Sequence, residues 1–160
     1  KKIFKVKNNL LENNNYYINN IKNNNSVSIC IRQHRFSEGS LKNKDKSLKF
    51  TRDTIDYVYR SINYIKQKID NPKFFIWSND FSNLREYFNE DDYIFVENNK
   101  NKSLNDFHLF NFSSHFIVGP TSFHWWGAWL NQNPDKICIR PKNINPSNNV
   151  DFWPENWTSI

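Results

Sequence analysis

HFIVGPTSFHWWGAWL, residues 115–130, decides the fold. It opens on a short apolar run, His115-Phe116-Ile117-Val118, which reads as a strand buried on both faces. Gly119-Pro120 breaks the run, and the chain re-enters regular structure at Thr121–Ser122 as a helix reaching Asn131. A strand, a tight turn and a helix in immediate succession are half of a βαβ unit.

The same unit recurs on either side. Val27–Ile31, Phe74–Trp77, Tyr93–Val96 and Lys136–Ile139 are further short apolar runs. Between the first two, Ile55, Val58, Tyr59, Ile62, Ile65 and Ile69 recur at helical spacing, with Asp53, Asp56, Arg60 and Lys66 interleaved. This predicts an amphipathic helix of about five turns, stopped by Asn71-Pro72. Residues 34–46 read as a loop. Asp80–Phe88 and Ser103–Phe112 read as helices, and the last 20 residues, with Pro141, Pro146 and Pro154, as a loop-rich tail. Strands alternating with helices, each strand a continuous apolar run, predict an α/β Rossmann-like three-layer domain with a parallel sheet of about five strands. Residues 1–25 are polar and Asn-rich, a connector with a short helix near 9–23. Residues 26–160 form the domain.

Composition agrees. The chain has 160 residues, 17% aromatic and 38% hydrophobic, enough to bury one core. The Asn and Lys surplus reads as a compositional bias. A net charge of +6 favours anionic partners: a pyrophosphate, an anionic membrane surface or a nucleic acid. The lysines are spread rather than clustered, which argues against nucleic acid. Cys30 and Cys138 sit in apolar runs and read as buried free thiols, and no CxxC spacing suggests zinc. No stretch approaches a membrane span. With no Met and an opening on Lys1-Lys2-Ile3, the sequence reads as the tail piece of a longer protein.

In a parallel sheet, ligands bind at the carboxyl ends of the strands. Three strand ends there offer polar groups: Arg32-Gln33-His34-Arg35, Ser78-Asn79-Asp80 and Gly119-Pro120-Thr121-Ser122. A helix start at Thr121–Ser122 suits a phosphate, although either hydroxyl alone also serves as a plain helix cap. Arg32 suits a pyrophosphate, with Arg35 beside it, or is a solvated surface cation. Asp80 either caps a helix or accepts the paired donors of a guanine edge. Neither GxGxxG nor GxxxxGK[ST] is present, which disfavours hydride transfer and P-loop chemistry. His34, His108, His115 and His124 are scattered and read as structural. Trp125 and Trp129, four residues apart, share a helix face that either packs on the sheet or stacks on a sugar.

NDFHLFNFSSHFIVGPTSFHWWGAWL, residues 105–130, closely resembles the last major motif of the inverting α-1,2-fucosyltransferases of GT-B architecture. Ser26–Arg35 is similar to that family's first motif, a strand ending in His-x-Arg-Arg-Gly-Asp. FIWSND (75–80) is similar to its Ser-Asp-Asp motif, and the DFWPENWTSI tail to its C-terminal ending. The resemblance covers about residues 26–160.

It implies that Arg32 grips the donor diphosphate and serves catalysis, that Asp80 reads guanine, and that Thr121 and Ser122 flank the pyrophosphate. Arg35, Ser78 and Phe123 join the donor-binding set. The implied donor is GDP-fucose, transferred with inversion to the 2-hydroxyl of a β-galactoside, with neither cofactor nor metal. The implied partners are a nucleotide-sugar donor and a glycan acceptor, in the cytoplasm and in peripheral contact with the membrane. A GT-B enzyme needs a second Rossmann-like domain, expected N-terminal on the acceptor side. The fragment alone is then inactive. The departures are Cys30 for the family His, Gln33 for the second Arg, Arg35 for the Asp, Asn79 for the first acid, Gly119-Pro120 for an Ala-Asn-like pair and His124 for a Ser. Glu38 is the nearby acid offered as replacement base. The first-motif departures, Cys30 and Gln33 above all, motivate an alternative: a catalytically inactive nucleotide-sugar-binding module of the same fold.

Overall fold

The structure, a computed structural model, describes residues 14–37, 42–97, 103–144, 149 and 151–160. Its sheet comprises β1 (Ser26–Ile31), β2 (Lys73–Ser78), β3 (Tyr93–Phe95), β4 (His115–Ile117), β5 (Cys138–Arg140) and β6 (Thr158–Ser159), in the order β3-β2-β1-β4-β5-β6. Every pairing is parallel. The expected Rossmann-like three-layer architecture is present. The sixth strand is an addition, in a tail whose prolines predict irregular structure. Thr158 and Ser159 pair with Ile139 and Arg140, and a two-residue strand is too short to show in periodicity.

Alternation along β1 divides the core. Val27, Ile29 and Ile31 face α2 (Lys44–Lys66), while Cys30 faces α1 (Asn15–Lys22), α3 (Ser103–Phe110), α4 (Ser122–Leu130) and the tail. All six β1 residues are buried. The polar Ser28 is satisfied on the second side, accepting from Trp77 Nε1 at 2.8 Å and lying 2.6 Å from Ser113 Oγ. Both cysteines are buried free thiols, as expected.

α2 starts well before the first periodic apolar position. Lys44–Phe50 is mostly exposed, so it carries no core-facing pattern, yet Asn43 caps the helix by accepting the Lys46 N–H at 2.8 Å. The helix ends at Lys66 rather than at Asn71-Pro72. Residues 67–71 leave it in turns, with Asn71 at a positive φ of 48°. The helix expected over Asp80–Phe88 is absent. That segment holds one 3-10 turn, Leu84–Glu86, which seats the fully buried Leu84 and Phe88 on the α2 side. Asp80 Oδ1 accepts from Ser82 N, two residues on. That is an Asx turn, which competes with a helix cap.

α1, over Asn15–Lys22 of the helix expected near 9–23, is docked: Ile21 is fully buried and the Tyr17 hydroxyl donates to Phe95 O at 3.1 Å. Residues 1–13 lie outside the described set.

The face of α4 turned inward is His124, Gly127 and Ala128, not the tryptophan pair. Trp125 stacks on Trp129 (5.6 Å, 16°) and donates from Nε1 to Phe152 O at 2.8 Å. The pair therefore clamps the C-terminal tail, where Trp157 lies 5.9 Å from Trp125. The inward face is small because α3 comes close. A Cβ on Gly127 would meet Phe110 Cδ1 at 2.3 Å.

Two stability tests follow from this packing. Phe110 is fully buried, with Phe116 at 5.0 Å and Trp77 at 5.7 Å, so its ring has nowhere to retreat. Gly127→Ala should cost about 1–3 kcal/mol by overpacking, read as a lower denaturant midpoint. Tyr57, 1% exposed, directs its hydroxyl at Ile139 O (2.8 Å) and Val118 O (3.1 Å). Tyr57→Phe should lower stability by about 1 kcal/mol, since it removes a buried hydroxyl donor, although Ile139 O keeps the Val118 N–H at 2.9 Å.

Candidate functional site

β1 lies between β2 and β4, and the chain moves outward from it in both directions. The crevice outside the carboxyl ends of β1 and β4 is the switch point where such sheets take ligands. A pocket of about 610 Å³ opens there, within the range of roughly 300–1,000 Å³ typical of small-molecule sites.

Its walls come from several elements. The β1 end contributes Arg32 and Arg35, the β2 end Ser78 and Asn79, the β4–α4 junction Pro120 to His124, and α3 contributes Ser103 and Asp106. Trp77, Val96 and Phe152 add apolar surface. Arg32, Arg35, Ser78, Thr121, Ser122 and Phe123, all expected from the sequence, therefore meet in one cavity.

Three polar ties hold these loops in place. Gln33, 2% exposed, reaches across to the β2 loop: its N–H donates to Asn79 Oδ1 at 2.8 Å and its Nε2 to Asp80 O at 2.8 Å, while its carbonyl accepts from Asn79 Nδ2 at 3.3 Å. His34, at a φ of 57°, lies with Nε2 2.7 Å from Asp80 Oδ2. Arg35 donates to Pro120 O at 3.2 Å and lies over the Phe50 ring at 5.7 Å, which orients its guanidinium beside the β4–α4 junction. Gln33 is thus a buried clamp between two strand ends.

At the start of α4, Thr121 has extended backbone and its Oγ1 accepts the His124 N–H at 3.2 Å. It is an N-cap, and its hydroxyl proton stays available to a ligand. The N–H groups of Ser122 and Phe123 fall in the turn where helices leave donors without intrahelical partners. Donors and dipole there favour an anion.

Asp80 does not line the pocket. Its carboxyl is held below the usual carboxylate range by hydrogen bonds from Ser82, backbone first, and by His34, so both oxygens are engaged. Glu38 lies outside the described residues. Conversely, Asp106 and His124 line the pocket although the sequence points to neither as a ligand-binding residue. Asp106 stands second in the motif at residues 105–130, and its place on α3 becomes a pocket position only once α3 packs on α4. His124 is 8% exposed, and burial, with Arg32's charge second, pushes its imidazole down to about 3. Of the other histidines, His115 is structural, its Nδ1 accepting the Ile137 N–H at 3.1 Å. Among the described residues no three His, Cys, Asp or Glu side chains gather as a metal-binding group, and no helix is long and apolar enough to cross a membrane.

Glycosyl transferase family 11 matches over residues 1–160. The chain belongs to that family. It is 33% identical over 144 residues to the α-1,2-colitosyltransferase of Escherichia coli, covering 85% of this chain and 48% of that protein. It is 29% identical over 106 residues to the O-antigen biosynthesis glycosyltransferase WbnK of Escherichia coli, covering 62% of this chain and 35% of that protein. The chain thus spans half or less of the length of these relatives. No solved structure matches it.

Proposed function

We propose that this domain is the donor-binding half of a glycosyltransferase that moves L-fucose from GDP-fucose to the 2-hydroxyl of a β-galactoside with inversion. The observation that carries the reading is the pocket itself: two arginines and a helix N-terminus converge on one end of a cavity at the sheet's switch point. That end suits a diphosphate, through bidentate Arg contacts and backbone donors.

In the reaction, the acceptor oxygen attacks the anomeric carbon from the face opposite the nucleotide. The carbon–oxygen bond to the β-phosphate breaks and its electron pair leaves with GDP. Arg32 and the α4 N-terminus stabilise the charge that develops on the departing phosphate, without a metal in this reading. A base takes the acceptor's proton, and Glu38 is the acid this chain offers for it. The acceptor itself would be held by a second domain of the parent protein.

In this reading the base lies toward Ser78, Asn79, Ser103 and Asp106, which line the pocket with the arginines. On the same reading Asp106, a carboxylate in the pocket lining, accepts the paired donors of a guanine edge, and Asp80, outside that lining, holds Ser82 and His34.

A second reading concerns the sugar. The relative at 33% identity is named for transferring colitose, so a colitose nucleotide sugar is the competing donor. Turnover by the full-length parent with each nucleotide sugar separates the two.

Calorimetry tests the site. GDP and GDP-fucose should bind the chain, and Arg32→Ala should weaken GDP by about 1.5–3 kcal/mol, the worth of a charged hydrogen bond. Absence of guanine-nucleotide binding by the folded chain would sink the proposal. Asp106→Asn should reduce the preference for GDP over ADP by tenfold or more, roughly 1.4 kcal/mol, while Asp80→Asn leaves it unchanged. The reverse pattern would return guanine reading to Asp80.

A further inference from the structure

We infer that His124 is a diphosphate-binding residue, donating an imidazole N–H to a phosphate oxygen of the nucleotide beside Arg32 and the α4 N-terminus. This rests on the donor-pocket reading and adds to it a residue at the third position of α4, the helix whose N-terminus faces the same cavity.

The ring is buried, and its Nδ1 makes no hydrogen bond of ordinary geometry. The backbone of Gly119 is the polar group beside it, and its influence on the ring ranks behind burial and Arg32. Buried polar atoms in folded proteins are nearly always paired, and this one belongs to a side chain that lines the cavity. The space for the ring is provided by the neighbouring strand end. A Cβ on Gly119 would lie 2.7 Å from His124 Nδ1 and 2.6 Å from Cys30 O, closer than real Cβ atoms come. Gly119 therefore makes room for His124 within the turn that its carbonyl closes with the Thr121 N–H.

The electrostatics suit a phosphate over a sugar hydroxyl. Among the described residues the charged side chains lining the cavity are Arg32, Arg35 and Asp106, and Arg32 is the one that acts on the imidazole. Burial and that charge keep the ring neutral. A neutral imidazole still carries one N–H donor. A diphosphate supplies acceptor oxygens and a negative charge that offsets Arg32, so the contact strengthens when the nucleotide is bound.

The test compares ligands that differ in phosphate number. Guanosine, followed by saturation-transfer NMR, and GMP and GDP, followed by calorimetry, are titrated into the wild-type chain, His124→Phe and His124→Gln, with melting curves confirming that each variant folds. His124→Phe should lose tenfold or more in GDP affinity and leave guanosine within twofold, and His124→Gln, which retains an N–H donor, should recover most of the loss. His124→Leu, which likewise has no donor, replaces the phenylalanine variant if that one does not fold, with the same expectation. Unchanged GDP affinity, or equal losses for guanosine and GDP, would overturn the inference and leave His124 a packing residue. Failure of the wild-type chain to bind GDP is a different result: it removes the donor-pocket reading on which the inference stands.

Discussion

The position of β1 governs the rest of the molecule. It is hydrogen-bonded along both edges, to β2 over six residue pairs and to β4 over three, and it is buried at every position. A strand in that place cannot end in a loop that wanders, because its neighbours fix where its carboxyl end emerges. Arg32 emerges between the ends of β2 and β4. The sheet order reverses at this point, so α2 leaves on one face and α4 on the other, and the crevice between them stays open. The pocket is a consequence of strand order, and most of the side chains that line it follow a strand by a few residues.

Strand order alone gives a crevice, and the loops must still be held to about an ångström for it to bind anything specific. Here that is done by polar contacts between loops rather than by apolar packing. Gln33 bridges the β1 and β2 ends from a buried position, His34 meets Asp80 at the rim, and Arg35 reaches Pro120 at the β4 end. A buried side-chain amide whose donor is paired across the gap favours one arrangement of the two loops, since any other leaves it unpaired. The tail adds a fourth restraint. Trp125 holds the Phe152 carbonyl, and Phe152 closes one side of the cavity.

The sheet was legible because a continuous apolar run of four or five residues, bounded by turn residues, fits little besides a buried strand. Five of the six strands announced themselves this way. The signal failed where structure is set by single polar contacts. The first two turns of α2 face water and are fixed by the Asn43 cap; the Asp80 segment is fixed by an Asx turn in place of a helix. The site was legible in part for the same reason. Residues that follow strands closely, Arg32, Ser78, Thr121 and Ser122, could be placed from strand ends alone. Asp106 and His124 could not. Asp106 enters the pocket only through the packing of α3 on α4, which depends on the bare Cα of Gly127, and His124 has the sequence surroundings of a scattered core histidine.

The same contacts bear on whether the motif departures mark a degraded site. The inactive-module alternative rests on Cys30, Gln33 and Arg35, read as losses. Each has a physical position. Cys30 is a buried thiol within the core shared with Phe75, Trp77 and Val118. Gln33 is the clamp between strand ends, where an arginine would bring a charge into a site 2% exposed. Arg35 lines the pocket and adds a cation at the end where the diphosphate is proposed to sit. Residues drifting free of function are expected to loosen such contacts rather than make them, since an unpaired buried amide or guanidinium costs stability. The departures therefore fit the proposed donor site, built differently and keeping two arginines in its lining, better than an abandoned one.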